Sequence, residues 1–485
     1  MQNKYILIPF IIIGFFYFPI ITNNQLYVDD IFRAQTGYDG WAAAGRPLTD
    51  FILHFMMMTK GHLMSFGQLG QILSVVAMAI TAIYFCKNVF QDESAISYCA
   101  SCGFAISPYF LENFSYQYDG LPMTLSLCAS MVAAIHAFKD GWKNLLISSI
   151  SITIACSLYQ TSINSFIGFA CSLAILHSLL HGISFRSMIK FLSKSVVSLI
   201  LGAVFYAMIV KFLMPMSDSR GQGFSLDFSL LNFFWIRIQR FYTTSFNSLS
   251  AVYCIVSSLL FLAVVYIKRK NNITSNSSTL LIFACLLVIL VCPIGMLVIF
   301  KESSITPRMM MGASALSCLF LAMVYFLRLN TKSNCFILFL FFIPYIVISF
   351  SFGASIKEQR LYDHSVVHMS LNDIRSNGLY DKDSYIVYAG RLPVAPLAKN
   401  TVNNLPIIAL MLVPAYDWTA SMIAQSYDVR DVRFDFARKE QKEISSEVCS
   451  KNETPLTETN AYAIYSNSAT NGFLVWMKGG KKTPC

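Results

Sequence analysis

Tyr27-Val28-Asp29-Asp30-Ile31-Phe32-Arg33 sets two adjacent carboxylates and a guanidinium a few residues beyond the first hydrophobic segment of the chain. A carboxylate at the lip of a membrane-embedded cavity can act as a general base on a substrate held at the lipid–water boundary, where polar groups are costly unless they serve a purpose. Asp29 and Asp30 are therefore the candidate bases, with Asp39 and Asp50 weaker ones. Adjacent side chains diverge, so one of the pair faces the reacting atoms. Asp30 is preferred, because an Asp-Asp pair commonly leaves one member to hold Arg33 or to cap the following helix. That capping role is the competing structural reading for both.

The elements that must position these groups are membrane helices. Of 485 residues, 55% are hydrophobic and 13% charged, with a mean hydropathy of +0.55, which marks an all-α polytopic membrane protein. A hydrocarbon core of about 30 Å needs about 20 apolar residues per span. Such stretches fall near 4–22, 66–86, 94–111, 121–138, 144–158, 161–180, 195–214, 247–267, 279–300, 309–327 and 335–354. About eleven transmembrane helices are expected; 144–158 and 161–180 are either two spans or one re-entrant element and one span. The first reads as an uncleaved span, since no small-x-small site precedes Asn23.

Lysines and arginines near span ends stay cytoplasmic. With the N-terminus inside, Lys87, Lys139, Lys143, Arg186, Lys190, Lys194, Lys268, Arg269 and Lys270 all fall inside, while Asp29, Asp30, Asp39, Asp50, Glu112, Asp119, Asp218, Asp227 and Glu302 fall outside. The net charge of +10 is thus mostly a topology signal and calls for no nucleic-acid partner. Most of the thirteen cysteines lie in apolar segments, where cysteine behaves as a small hydrophobe. Cys99-Ala100-Ser101-Cys102 has no histidine partner nearby and is not read as a metal or redox site. Cys449 and Cys485 fall in the outer C-terminal region, where an oxidising compartment permits a disulfide.

Past residue 354 charges become dense and balanced, and long apolar runs stop. Residues 355–485 read as a small α/β periplasmic domain on the face of Asp29 and Asp30, with a strand at 384–388, an apolar helix or strand at 402–414, and a hairpin from 462–465 and 472–476. Residues 1–354 form the transmembrane part, with a first outer loop at 23–65. Two further outer segments carry cations. The stretch 233–242 reads as an interfacial amphipathic helix with Arg237 and Arg240 three residues apart, following the polar turn 217–223. The loop Lys301-Glu302-Ser303-Ser304-Ile305-Thr306-Pro307-Arg308 adds two more. Outer-face cations run against the orientation bias, which suits phosphate binding; snorkelling at the interface is the competing reading.

The first outer loop then carries a pattern. Val28-Asp29-Asp30, Arg33, Gly37-Tyr38, Trp41 and Gly45-Arg46-Pro47-Leu48 resemble the type-II glucosyltransferase family, phage-encoded membrane enzymes that glucosylate O-antigen and convert serotype. More broadly, the chain is similar to the GT-C class of polyprenol-dependent glycosyltransferases. The resemblance implies undecaprenyl-phosphate glucose as donor and a sugar of lipid-linked O-antigen as acceptor, on the periplasmic face of the bacterial inner membrane. It implies an Asp29 or Asp30 base, with Arg33, Arg46, Arg237, Arg240 and Arg308 as candidates to ease departure of the lipid phosphate. Tyr38, Asp39, Trp41, Glu112 and Asp119 are candidate sugar or acceptor contacts, and Lys478, with Trp476 and Arg391, a weaker set in the C-terminal domain. Aromatic anchoring at the interface is the commoner use of Tyr38, Trp41 and Trp235. No phosphate-loop or H-E-x-x-H motif is present, and no metal or other cofactor is expected. The rival function is a transporter or flippase of a lipid-linked sugar; few mid-span charges and no paired halves argue against it.

Overall fold

The computed structural model describes residues 4–58, 62–213, 229–249, 251–271, 273–295, 306–326, 331–378, 381, 384–429, 431–434, 436, 438–451, 453–467 and 471–484. The polar turn 217–223 and the loop residues 301–305 lie outside them. Apolar sequence becomes helix here because, in hydrocarbon, every backbone N–H and C=O must be paired within its own segment. Among the described residues, five helices are long and apolar enough to cross a membrane: Leu69–Phe90, Gly120–Phe138, Ser162–His181, Phe185–Phe212 and Phe336–Ser376. Five shorter apolar helices accompany them, Ile8–Asn23, Ala95–Phe104, Trp142–Leu158, Asn276–Val291 and Ala313–Tyr325, together with the bent pair Phe234–Leu249 and Tyr253–Lys270. Every expected apolar stretch overlaps one of these helices. Small hydroxyl residues tie them together: Ser130 Oγ donates to the Ser162 carbonyl at 3.1 Å, Thr153 Oγ1 to Gly202 at 3.1 Å and Ser172 Oγ to Ala315 at 3.4 Å.

The helix Thr331–Ser376 is 46 residues long, about 69 Å at the usual rise per residue. It therefore outruns a hydrocarbon core, and the expected boundary at 354 falls inside it. Its far end, through Val366, Val367, Leu371 and Ile374, packs on the C-terminal sheet. That sheet has the order β2-β1-β5-β4-β3, with β1 Tyr385–Arg391, β2 Val432–Arg433, β3 Thr457–Glu458, β4 Tyr462–Asn467 and β5 Gly472–Lys478. β1 runs parallel to β2 and β5, and β4 is antiparallel to β5 and β3. The strand at 384–388 and the terminal hairpin are thus present, while the apolar run 402–414 is helical, as Pro396–Asn404 and Pro406–Met411, each started by a proline at its first turn. Ile444 and Val448 of the helix Lys439–Ser450 cover the other face of the sheet. Cys449 is disulfide-bonded; Cys485 lies outside the described residues.

The C-terminal part sits directly on the first outer loop. The Tyr27 hydroxyl donates to the Met411 carbonyl, Gln35 Nε2 to Met422 O at 2.8 Å, and the Phe32 ring meets those of Trp418 and Phe436 at 6.3 and 5.3 Å. The backbone N–H of Ile407 donates to Ser248 Oγ at 2.9 Å, which fixes the same domain to the helix Ser229–Leu249.

Candidate functional site

The two aspartates open the short helix Asp29–Thr36, and the strained left-handed φ of 43° at Val28 turns the chain into it. Their fates differ. Asp30 is 0% exposed: Oδ2 accepts from the backbone N–H groups of Tyr27 (3.2 Å) and Gln117 (2.8 Å), and Oδ1 accepts from Tyr118 N at 3.4 Å. Burial pushes its carboxyl up to about 7, with the Asp119 charge adding to that and the three backbone donors pulling it back part way. Asp30 thus acts as the clasp that ties the Tyr27 backbone, just before the helix, to the 116–119 loop. The Asp29 side chain is 41% exposed and lies 3.3 Å from Arg308 Nη1. The preference for Asp30 as the group that meets substrate runs against this geometry: a carboxylate with no exposed surface and with backbone donors on both oxygens cannot reach an acceptor hydroxyl.

Arg308 comes from the single turn Pro307–Met309. Its backbone is pinned, with its N–H donating to Glu112 Oε2 at 2.8 Å and its carbonyl accepting from Asn113 Nδ2 at 2.9 Å and from the Tyr159 hydroxyl at 3.4 Å. Its guanidinium donates to the Tyr116 hydroxyl at 2.6 Å and to Asp29 at 3.3 Å. Glu112 is buried, and burial lifts its carboxyl to about 7 against the opposing pull of Arg308. A fixed cation, an exposed carboxylate and a tyrosine hydroxyl therefore converge on one spot. Tyr416 of the C-terminal part is linked to the first outer loop through Trp418, whose ring lies 5.5 Å from that of Tyr416 and 6.3 Å from that of Phe32; burial first, then the charges of Asp29 and Asp417, push its hydroxyl up to about 12, and Arg308 opposes them.

A second cluster is centred on Asp119. Its carboxylate accepts from Trp41 Nε1 at 2.7 Å and pairs with Arg33 Nε at 3.4 Å and Arg46 Nη1 at 3.5 Å. Arg33 lies over the Trp41 ring at 3.9 Å, and its Nη1 donates to the carbonyls of Tyr38 and Asp39 at 3.2 and 3.0 Å. Arg46 lies over the Tyr159 ring at 4.5 Å. Trp41, 1% exposed, packs with Leu53, Met57, Leu63 and Tyr118, so its ring is a platform for Arg33 and is closed to a sugar. Tyr38, 51% exposed, remains open to one. The glycines of the loop are needed by its backbone: Gly37 ends the helix Asp29–Thr36 at φ 69°, where a Cβ would also lie 2.5 Å from His62 Cβ, and Gly45 turns at φ 72°. The Gly45 carbonyl accepts from Tyr206 at 2.8 Å and Gln160 at 3.1 Å.

The remaining candidates are elsewhere. Among the described residues, the cations that reach these carboxylates are Arg33, Arg46 and Arg308; Arg237 is buried and Arg240 exposed on the helix Ser229–Leu249, and neither is among them. Lys478 donates to Glu458 Oε1 at 2.6 Å and Thr459 O at 2.8 Å, which ties β5 to the edge of its sheet. Asp39, Asp50 and His54 offer three ligand atoms within 4.8 Å of one another, a spacing that would suit a cation. Tyr116, Asn113, Tyr159 and Tyr416 were not singled out from sequence. Only Tyr116 and Asn113 carried any signal, as members of a polar loop beside Glu112.

Residues 18–320 match the family model described as "Glucosyl transferase GtrII". A protein of Salmonella phage P22, described as an uncharacterized 55.3 kDa protein in the gtrB 5' region, is 26% identical over 440 residues, which cover 88% of this chain and 90% of that protein. No solved structure matches. The matched segment contains both clusters, from Asp29 to Arg308, while Tyr416 lies beyond it.

Proposed function

The chain belongs to the GtrII glucosyl transferase family and is a membrane glycosyltransferase; from that premise we propose that it moves glucose from undecaprenyl-phosphate glucose to a sugar of lipid-linked O-antigen, with Asp29 as the general base. The reaction runs on the periplasmic face of the bacterial inner membrane, in a chain of about eleven spans with its N-terminus cytoplasmic and its C-terminal domain periplasmic. The observation that carries this reading is the exposed Asp29 carboxylate held 3.3 Å from a guanidinium whose backbone is locked in place.

In the resting arrangement Arg308 neutralises Asp29. When the donor enters, its phosphate takes over the guanidinium, and Asp29 is released as a free base. The acceptor hydroxyl oxygen then bonds to the anomeric carbon, the bond from that carbon to the phosphate oxygen breaks, and the hydroxyl proton passes to Asp29. The lipid phosphate leaves with the bonding electron pair, and Arg308 with the Tyr116 hydroxyl stabilises the added charge. Arg33 and Arg46 remain committed to Asp119 and shape the loop. Asp30 positions Asp29 by clasping the loop beneath it.

Asn at either aspartate separates these roles. In membranes supplied with lipid-linked donor and acceptor, Asp29→Asn lowers glucose transfer by about 10²–10⁴-fold, the usual span for a general base, at normal expression. Asp30→Asn lowers thermal stability and leaves transfer per folded molecule much closer to wild type. Full transfer by Asp29→Asn sinks the assignment of the base.

A further inference from the structure

The C-terminal domain holds a cavity of about 650 Å³ between the ends of β1 and β5 and the helices Asp417–Gln425 and Lys439–Ser450. Nothing in the transfer step uses it. Among its lining residues are Arg391, Tyr416, Asp417, Arg438, Gln441 and Trp476. Gln441 is only 5% exposed, yet neither its amide nitrogen nor its amide oxygen has a hydrogen-bond partner. A buried amide left wholly unpaired is costly to the fold, and a polar group kept in that state beside a cavity is placed for a ligand. The rest of the wall is arranged rather than loose. Arg438 Nε binds Asp417 Oδ2 at 2.6 Å, and Trp476 Nε1 donates to the Lys481 carbonyl at 3.1 Å, which fixes the indole.

We propose that this cavity is a glycan subsite that holds the acceptor's saccharide chain next to the Asp29–Arg308 site. The assignment rests on the glucosyl-transfer reading. Neighbouring sugar hydroxyls supply one donor and one acceptor side by side, which is what the Gln441 amide lacks, and a pyranose offers an apolar face to rings such as those of Trp476 and Tyr416. Its volume falls within the range of small-ligand sites and admits a short stretch of saccharide. Tyr416 links the cavity to the site: it lines the cavity, it is bridged to Arg391 of β1, and its ring meets Trp418 at 5.5 Å, which in turn meets Phe32 of the helix Asp29–Thr36 at 6.3 Å. A chain held there would enter the site from the side of the first outer loop that the C-terminal part already covers.

The test uses the full chain in lipid nanodiscs, with Gln441→Met, which keeps the side-chain volume, and Trp476→Ala. Acceptor KM, donor KM and kcat are measured with a lipid-linked O-antigen acceptor of several repeats, and free O-antigen oligosaccharide is titrated directly against each protein. Both variants raise acceptor KM by about 10-fold, the value of one or two lost hydrogen bonds or a lost ring contact, with donor KM and kcat held. Gln441→Met at the same time raises the melting temperature, because the unpaired amide is gone; a purely structural glutamine would move stability and acceptor KM in the same direction. Unchanged acceptor KM and unchanged oligosaccharide affinity in both variants overturn the subsite. If the wild-type chain transfers no glucose yet binds the oligosaccharide in a Trp476-dependent way, the subsite stands and the reading of the reaction falls.

Discussion

Arg308 meets Asp29 at 3.3 Å across 279 residues of sequence. Long side chains are seldom held this firmly by ion pairing alone; here the backbone of Arg308 is fixed on both sides by Glu112 and Asn113, so the guanidinium is preorganised before any substrate arrives. Arg308→Ala is expected to cut kcat by about 100-fold or more, the scale seen when one preorganised charge-stabilising donor is removed. Arg308→Lys keeps the charge but not the planar guanidinium whose Nη1 reaches both Tyr116 and Asp29, and falls between. Donor titration in reconstituted vesicles measures both, and a wild-type kcat in Arg308→Ala would remove the cation from the mechanism.

Tyr116 tests the same device more gently. Its hydroxyl takes the 2.6 Å bond from Arg308, and its ring is buried edge-on against Tyr27 at 4.8 Å. Tyr116→Phe deletes the oxygen and keeps the ring, so the fold is retained while the guanidinium loses one anchor. A fall in kcat of about 5- to 10-fold is expected from one lost charge-assisted hydrogen bond, with acceptor KM unmoved.

Asp30 and Glu112 give stability a definite pH dependence. Each is held near 7 by burial, well above a carboxyl in an unfolded chain. Between about pH 4 and pH 7 the folded protein keeps protons that the unfolded chain has released, so the stability these groups contribute is complete at the acid end and is lost as pH rises through that window. Thermal unfolding in detergent at pH 5 and pH 8 measures the slope, and Asp30→Asn, which does not titrate, flattens it. A slope in Asp30→Asn equal to that of wild type would mean that Asp30 does not carry its share.

Much of this was legible in the sequence. The apolar stretches gave helices because hydrocarbon leaves the backbone no other partner, and the β-rich segments 384–388, 462–465 and 472–476 became strands of the C-terminal sheet. The acidic pair was marked by its place at the lipid–water boundary, Arg308 as a cation on the outer face against the orientation bias, and Glu112 and Asp119 as polar residues of outer segments in a chain resembling a glycosyltransferase. What stayed hidden was the division of labour. Asp30 is satisfied by the backbone of Gln117 and Tyr118, and backbone donors leave no trace in residue identity. Trp41 looked like a sugar platform because composition cannot say which face of a ring is covered; Arg33 and the Leu53–Tyr118 cluster cover it. Tyr416 comes near the first outer loop only through tertiary docking of a domain nearly four hundred residues downstream, by way of Trp418 and Met422.

The final prediction concerns charge neutralisation without a metal. In the proposed mechanism Arg308, held by the Tyr116 hydroxyl, neutralises the leaving phosphate, so chelation with EDTA is expected to leave glucose transfer unchanged. Asp39, Asp50 and His54 supply the alternative, since their ligand atoms lie within 4.8 Å of one another in the same outer loop. That cluster also has an ordinary explanation in its own contacts, because His54 Nδ1 lies 3.0 Å from the Asp50 carbonyl and its Nε2 lies 3.7 Å from Asp39. Asp39→Asn discriminates the two. With arginine as the sole neutralising group, the variant keeps wild-type kcat with or without EDTA. Loss of transfer on chelation, restored by added Mg²⁺ or Mn²⁺ in wild type but not in Asp39→Asn, would place a divalent cation in that cluster and make Arg308 its accessory.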